Sequence, residues 1–330
     1  MARRDRPATM EDVASLAGVS RALVSIVYRD APGASEATRA RVLAAGTKLG
    51  YRPDHRARLL GRTRTRLLGV TFDVRQPFHG DLVESLYTAA ESAGYELALS
   101  AVAPTRDEPR AIQSLLDYRC EALILLGPML APSALASLAA DQPVIVVARK
   151  VSAAGVDVVR TDDTAGARLA TEHLIGLGHT EIAHIDGARS PGATDRRASY
   201  RTTMRRAGLT PLVIPAGPTE NDGALAAKQL LDTHPTVTAV FTFNDRSAVG
   251  FLDTVRQSRQ VPTELSVIGY DDTTIAALSH INLTTIAQNT PALADQALQQ
   301  AHSRTTTSDH TTPTPIAPRL VRRTTTGPRL

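Results

Sequence analysis

Two Asp-Asp pairs, Asp162-Asp163 and Asp271-Asp272, are the side chains best placed for proton transfer in this sequence. Each follows an apolar run that reads as a strand. A carboxylate at a strand end can relay a proton, accept from a ligand hydroxyl, or cap the next helix. His179 and His184 flank the start of another strand without the spacing of a metal-binding pair, and read as structural. The phosphate-loop, dinucleotide, nucleophile-elbow and zinc-protease patterns are all missing. Gly176-Leu177-Gly178 lacks a third glycine and sits at a helix end. The single cysteine, Cys120, excludes an intrachain disulfide and a Cys-rich zinc site. It suits a reducing cytoplasm. The expectation is therefore no catalytic residue, no metal, no cofactor and no enzyme activity.

The elements that carry these residues alternate. Apolar strands are expected at Leu67–Phe72, Glu96–Ala101, Ala122–Leu126, Val144–Val147, Val158–Thr161, Ile182–Ile185, Ala239–Phe243 and Leu265–Ile268, with a last one at Arg319–Arg323. Amphipathic helices fall between most of them, for example Leu82–Ala93, Ala165–Leu177 and Asn244–Arg256. This is the signature of parallel sheets covered on both faces. Some 260 residues are too many for one such sheet, so the fold class is α/β with two doubly wound lobes and a cleft between them. Ligands bind such sheets at the carboxyl ends of the strands. The Thr-, Ser- and Pro-rich stretch Ser303–Pro318 reads as an exposed connection. Ala122 to Ala140 carries no charge, but Gly127, Pro128 and Pro132 break it, so it reads as strand, turn and helix and not as a membrane span. The charged opening lacks the apolar run of a secretory signal.

The first 66 residues differ from the rest. Lys and Arg exceed Asp and Glu there by eight, whereas the remainder is short by four, giving the chain's net +4. A basic head on a mildly acidic body points to a polyanion partner for the head alone. Thr9 caps a helix with Asp12 as its reciprocal partner, and Met10, Val13, Ala14 and Ala17 share one face. Gly18 ends it in the left-handed turn that glycine adopts most cheaply. Ser20 caps a second helix that buries Val24 and Val27 and shows Arg21, Ala22, Ser25 and Ile26, followed by Arg29. A third starts at Ser35, turns Val42, Ala45 and Leu49 inward, and has Thr38, Arg39 and Arg41 near its start. Two helices joined through a short glycine turn form a helix-turn-helix, which sets its second helix in a major groove. Arg21 is expected near base edges, Thr38 and Arg39 at phosphates. The short basic segment after Tyr51-Arg52-Pro53 reads as a hinge that orders when something holds it.

The chain resembles the LacI/GalR family of bacterial transcription regulators over nearly its whole length. The head carries the likeness in Thr9-Met10-Glu11-Asp12-Val13-Ala14, Ala17-Gly18-Val19-Ser20, Val24-Ser25, Thr38-Arg39 and Gly50-Tyr51-Arg52-Pro53. The body continues it in Gln76-Pro77-Phe78, Thr161-Asp162-Asp163-Thr164-Ala165-Gly166, Gly178-His179, Asn244-Asp245, Val267-Ile268-Gly269-Tyr270-Asp271-Asp272, Leu283-Thr284-Thr285-Ile286-Ala287-Gln288 and Leu320-Val321-Arg322. The resemblance implies a periplasmic-binding-protein-like core in which the chain crosses between lobes three times. It implies a homodimer on double-stranded, near-palindromic operator DNA, and a sugar-like or nucleoside-like effector between the lobes. It also implies that Leu60 inserts between base steps in the minor groove, with Ala57 small enough for a partner hinge to approach. Four expected parts follow: a helix-turn-helix domain, 1–50; a hinge, 51–66; an N-terminal lobe, 67–162 with 288–318; and a C-terminal lobe, 163–287 with 319–330. Phe72, Phe78, Arg196, Asn244, Asp271 and Gln288 are the candidate effector ligands.

Departures from the family pattern bear on specificity. Leu23-Val24-Ser25-Ile26 stands where members carry Thr-Val-Ser-Arg, so Ile26 replaces an arginine that reads a base in some of them. Arg29 replaces the usual Asn. In the core, Ala148 stands at a commonly acidic position, Ser199 at the glycine after Arg196, and His79 at the second aromatic after Pro77-Phe78. With no tryptophan, any aromatic face must come from Phe72, Phe78, Phe243 or Tyr270. The expected function is a cytoplasmic repressor whose operator affinity responds to a small polar ligand, with no membrane association. The rival is a cytoplasmic sugar-binding protein or sugar-processing enzyme on the same core, neither of which needs the basic head.

Overall fold

A computed structural model describes residues 6, 8–52, 65–307 and 313–329. The chain divides into two compact units, Met1–Thr65 and Arg66–Leu330.

The first unit is built on three helices: α1 (Met10–Ala17), α2 (Arg21–Tyr28) and α3 (Glu36–Leu49). Thr9 and Asp12 form the capping box, and Gly18 takes φ +63° at the end of α1. Ser20 and Ser35 cap α2 and α3 through their hydroxyls. Val13, Ala14, Ala17, Val24, Val27, Val42 and Ala45 form one small core. The residues are small, so the helices pack closely and the core depends on good caps for the rest of its stability.

The second unit holds two sheets. The five-stranded sheet contains β1 (Leu67–Asp73), β2 (Glu96–Val102), β3 (Ala122–Leu126), β4 (Val144–Val147) and β5 (Val156–Val159), all parallel, in the order β2-β1-β3-β4-β5. Side chains alternate across it. Leu68, Val70, Ile124, Leu126, Ile145 and Val147 face α4 (Pro77–Ser92) and α11 (Thr290–Thr306). Leu123, Leu125, Val144 and Val146 face α5 (Glu108–Asp117) and α6 (Pro132–Asp141). A strand buried on both faces must be apolar throughout, which is why these runs are continuous.

The six-stranded sheet contains β6 (Ile182–Ile185), β7 (Leu212–Ile214), β8 (Ala239–Thr242), β9 (Ser266–Asp271), β10 (Thr284–Ala287) and β11 (Arg319–Val321), in the order β11-β10-β9-β8-β6-β7. Only β11 is antiparallel to its neighbour. α7 (Asp163–Gly176) and α8 (Ala193–Arg206) cover one face, α9 (Glu220–Thr233) and α10 (Asp245–Val255) the other. The chain leaves the first sheet after β5, returns after β10 to lay α11 on it, and crosses again to reach β11. Thr161 bridges Ile316 where two of these passages run side by side.

Three local expectations change. The strand expected at Val158–Thr161 lies at Val156–Val159, because its partner β4 sets the register from Val144 to Val147. Ser303–Thr306 is helical, since α11 runs on to Thr306 and buries Ala297, Leu298 and Ala301. β7 and β10 were not expected: β7 has only three residues, and β10 begins with two threonines that are buried because their hydroxyls are bonded inside. No helix among the described residues is long and apolar enough to cross a membrane.

Candidate functional site

Two features of the molecule could meet a partner. The first is the outer face of α2. Arg21 and Ala22 are exposed, Ser25 and Ile26 half-buried, and Arg29 is exposed with its Nε donating to the Ser25 carbonyl at 3.1 Å. The Ser20 hydroxyl accepts from Leu23 N at 3.2 Å, so it holds the helix start. Thr38 Oγ1 accepts from Ser35 Oγ at 3.0 Å. Arg39 is turned inward: Nη1 donates to Asp30 Oδ1 at 2.7 Å and to the Val27 carbonyl at 3.4 Å, and Nη2 donates to the Ala31 carbonyl at 3.0 Å. It closes the loop after α2, where Asp30 sits at φ +52°.

The second is a cavity of about 360 Å³ inside the second unit. Residues at the carboxyl end of β1 and the start of α4 form one wall, including Thr71, Asp73, Phe78 and His79. Arg196 of α8, with Phe243 and Asn244 after β8 and Asp271 at the end of β9, forms the other. Gln288, on the chain's way back to the first sheet, closes the base. Strand ends and helix starts meet there because β1, β2, β3, β4, β8, β9 and β10 all deliver residues to it at their carboxyl ends.

Arg196 is the centre of this wall. It is 5% exposed. Nε donates to Asp163 Oδ1 at 2.8 Å and Nη1 to the Phe243 carbonyl at 2.8 Å, and Nη2 lies 3.9 Å from Asp271 Oδ1. Its guanidinium lies 3.5 Å from the Tyr270 ring centre and 4.8 Å from that of Phe243. Burial disfavours its charge, but Asp163 and Asp271 more than offset this, and its pKa is raised. Gly166 makes room for the arrangement, since a Cβ there would stand 2.4 Å from the Tyr270 hydroxyl. Gln288 joins the passages between sheets: its Oε1 accepts from Thr161 Oγ1 at 2.7 Å and its Nε2 donates to Asp271 Oδ1 at 2.8 Å. Asp271 has φ +113°, a backbone that side-chain-bearing residues seldom adopt and that must be held by such bonds. Burial raises the Asp271 pKa to about 6 despite the nearby guanidinium.

Residues 9–54 match the model of the bacterial regulatory proteins of the lacI family, and residues 66–311 match the periplasmic binding proteins and sugar binding domain of LacI family. The chain belongs to the LacI family. The HTH-type transcriptional regulator GalR of Escherichia coli K12 is 35% identical over 302 residues, covering 89% of this chain and 88% of GalR. The crystal structure of a LacI transcriptional regulator from a Rhodococcus species is 48% identical, with a TM-score of 0.78 over 79% of this chain and 98% of that one. A lac repressor dimer bound to operator and the anti-inducer ONPF is 28% identical, with a TM-score of 0.83 over 98% of this chain and all of that one. This LacI-family chain is a DNA-binding transcription regulator, and its relatives are regulators and not enzymes.

Of the six effector candidates, Phe78, Arg196, Asn244, Asp271 and Gln288 line the one cavity. Phe72 does not. The alternation of β1 turns Thr71 and Asp73 to the cavity and packs Phe72 on the apolar cluster behind. Tyr270 offers no face either, being fully buried beneath Arg196. The Asp-Asp pairs split: Asp162 Oδ1 caps α7 through Ala165 N, whereas Asp163 holds Arg196. Asp271 faces the cavity, and Asp272 pairs with Arg323 at 2.6 Å. His179 bonds Thr238, Ser266 and the Gly327 carbonyl, a structural role. Sequence reading missed Asp73, His79 and Glu108 as wall residues; strand alternation from Thr71 could have found Asp73. Ala57 and Leu60 lie outside the described residues.

Proposed function

We propose that this LacI-family regulator is a cytoplasmic repressor that binds a near-palindromic operator as a homodimer and releases or tightens it when a small polar ligand, sugar-like or nucleoside-like, enters the cavity. The observation that carries the reading is that the cavity has walls from both sheets. A ligand there has different contacts when the lobes move, and only such a difference can shift a population. The proposed divisions are 1–50, 51–66, 67–162 with 288–318, and 163–287 with 319–330; the return of the chain to the first sheet as α11 and its crossing to β11 support the split between lobes. Ser20, Arg21, Ala22, Ser25, Ile26, Arg29 and Thr38 are the proposed DNA face, Arg39 its internal support, and Ala57 and Leu60 the proposed hinge contacts. Phe78, Arg196, Asn244, Asp271 and Gln288 are the proposed effector contacts. GalR's likeness, and the operator-bound lac repressor dimer, support the scheme. A sugar-binding protein or sugar-processing enzyme is not favoured, because neither needs the head.

An electrophoretic shift with duplexes from around the protein's own gene tests it. A retarded band that is lost as salt rises, and that changes with a small carbohydrate, is the expected result. Retention of every duplex alike, with no response to any ligand, overturns it.

A further inference from the structure

We infer that the effector is an uncharged, hydroxyl-rich molecule, and that the cavity rejects the phosphorylated or carboxylated form of the same skeleton. This rests on the cavity being the effector site. Four charged side chains line it: Asp73, Glu108, Asp271 and Arg196. The only cation among them already serves Asp163, the Phe243 carbonyl and Asp271. A phosphate or carboxylate is gripped by guanidinium groups or ammonium groups that are free to turn to it.

His79 does not supply a second cation. Its Nδ1 accepts from Asp73 N–H at 3.1 Å, which leaves the proton on Nε2. The Nε2 atom stands at the wall, 3.1 Å from where a Cβ of Gly127 would be. Burial pushes its pKa down to about 4, so it is a neutral donor at physiological pH. Asn244 is similar: its Oδ1 caps α10 through Ser247 N, which leaves the amide NH2 of this lining residue as a second neutral donor.

The helix starts complete the balance. α4 and α10 have their caps, Gln76 and Asn244, in the cavity wall, and α8 begins at Ala193 just after the wall residues Ser190 and Pro191. Each helix start is worth about half a positive charge. With Asp163, which Arg196 also holds, the carboxylates exceed the guanidinium by three charges, and the helix starts offset about half of that. The cavity thus keeps a negative balance and is dense in donors and acceptors. Hydroxyls, which both donate and accept, suit that pattern. An anion adds a charge beside Asp73, Glu108 and Asp271, and like charges placed together repel.

The test uses the full chain, with titration calorimetry and thermal unfolding at matched ionic strength. The probes are galactose, ribose and cellobiose, then galactose 6-phosphate, ribose 5-phosphate, galacturonate and inorganic phosphate. The expected result is a neutral sugar that binds, a charged counterpart weaker by about 100-fold, and no shift in Tm from inorganic phosphate. Asp73→Asn, which can still accept from Arg75 N, narrows the gap by about tenfold. A charged member that binds as tightly as its neutral parent overturns the inference, as does a gap that Asp73→Asn leaves unchanged. A panel with no binder also overturns it. Operator binding by the same preparation then shows that the regulator reading survives, and loss of operator binding shows that it fails too.

Discussion

The α2 face and the cavity wall handle polar side chains in opposite ways. On α2, Arg21 stands exposed on a helix whose caps and core are complete without it. In the cavity wall, several polar groups are bonded to one another before any ligand arrives: Asp163 to Arg196, Gln288 to Asp271, Asp73 N to His79. A surface that reads many sequences needs side chains free to test each base edge. A pocket that recognises one small molecule needs its groups fixed beforehand, because ordering them at binding costs affinity. Substitutions should therefore separate the two regions: changes in the cavity alter stability, and changes on the α2 face alter recognition.

The sharpest break in that comparison is Arg196→Ala. It strands the Asp163 and Asp271 carboxylates in a buried wall. Removing one partner of a buried pair costs roughly 3–5 kcal/mol. Urea unfolding of the second unit should show it, and Asp163→Asn in the same chain should recover part of the loss. An unchanged midpoint would mean that water reaches the carboxylates and the wall is not preorganised.

His79 gives the next largest effect, through pH. Burial lowers its pKa from 6.5 to about 4, against a smaller pull upward from Asp73. The unfolded chain then takes up the proton first as pH falls. The stability this group contributes is full above pH 6.5 and is lost between there and pH 4, by up to about 3 kcal/mol. His184 acts in the same direction. Asp271 and Asp245 act in the opposite one: burial raises their pKa values, so they contribute stability that fades as pH rises. His79→Asn keeps an acceptor for Asp73 N, and the difference between its pH profile and that of the native chain isolates the histidine. Parallel profiles would place His79 in contact with solvent.

What the sequence revealed follows the same division. Caps and periodicity are local, so Thr9, Gly18, Ser20 and Ser35 were legible as helix ends, and continuous apolar runs were legible as two-sided strands. Resemblance carried Arg196, Asn244, Asp271 and Gln288 to one cavity. It could not say which neighbour each would bond. Asp162 and Asp163 are adjacent in sequence and have different jobs, because one faces its own helix start and the other faces α8 across the fold. Phe72 was misplaced because an aromatic was sought by type, whereas its direction is fixed by the pleat. Thr284 and Thr285 hid β10 because polar residues were not expected in a buried strand, and only long-range partners such as Asp245 Oδ1 make them tolerable there.

On the α2 face, Arg21→Ala should leave both unfolding transitions in place and relax the preference at one base pair. A bidentate arginine on a guanine edge is worth about 1–3 kcal/mol of discrimination. Selection from a randomised duplex library, run with native and variant chains, measures it directly. The same enriched site from both would move base reading away from Arg21, to Ala22, Ser25 or Ile26.

The smallest effect belongs to Arg39, and it tests whether the head too has a fixed interior behind its free face. Its side chain is three-quarters covered, and its guanidinium is bonded to Asp30 and to the Val27 and Ala31 carbonyls. The aspartate is almost fully exposed, so the pair itself adds little. The two carbonyl bonds matter more, because they satisfy acceptors at the end of α2 and hold the left-handed turn at Asp30. Arg39→Ala should cost about 1 kcal/mol of head stability and weaken all duplexes by the same factor. A phosphate contact would weaken them equally as well, so affinity alone does not decide. The salt dependence does: losing one phosphate contact flattens the slope of log K against log salt by about 0.9. A purely supporting arginine leaves the slope unchanged while the curve drops as a whole. A flatter slope with an unaltered unfolding midpoint would show that Arg39 swings out to the backbone when DNA is present.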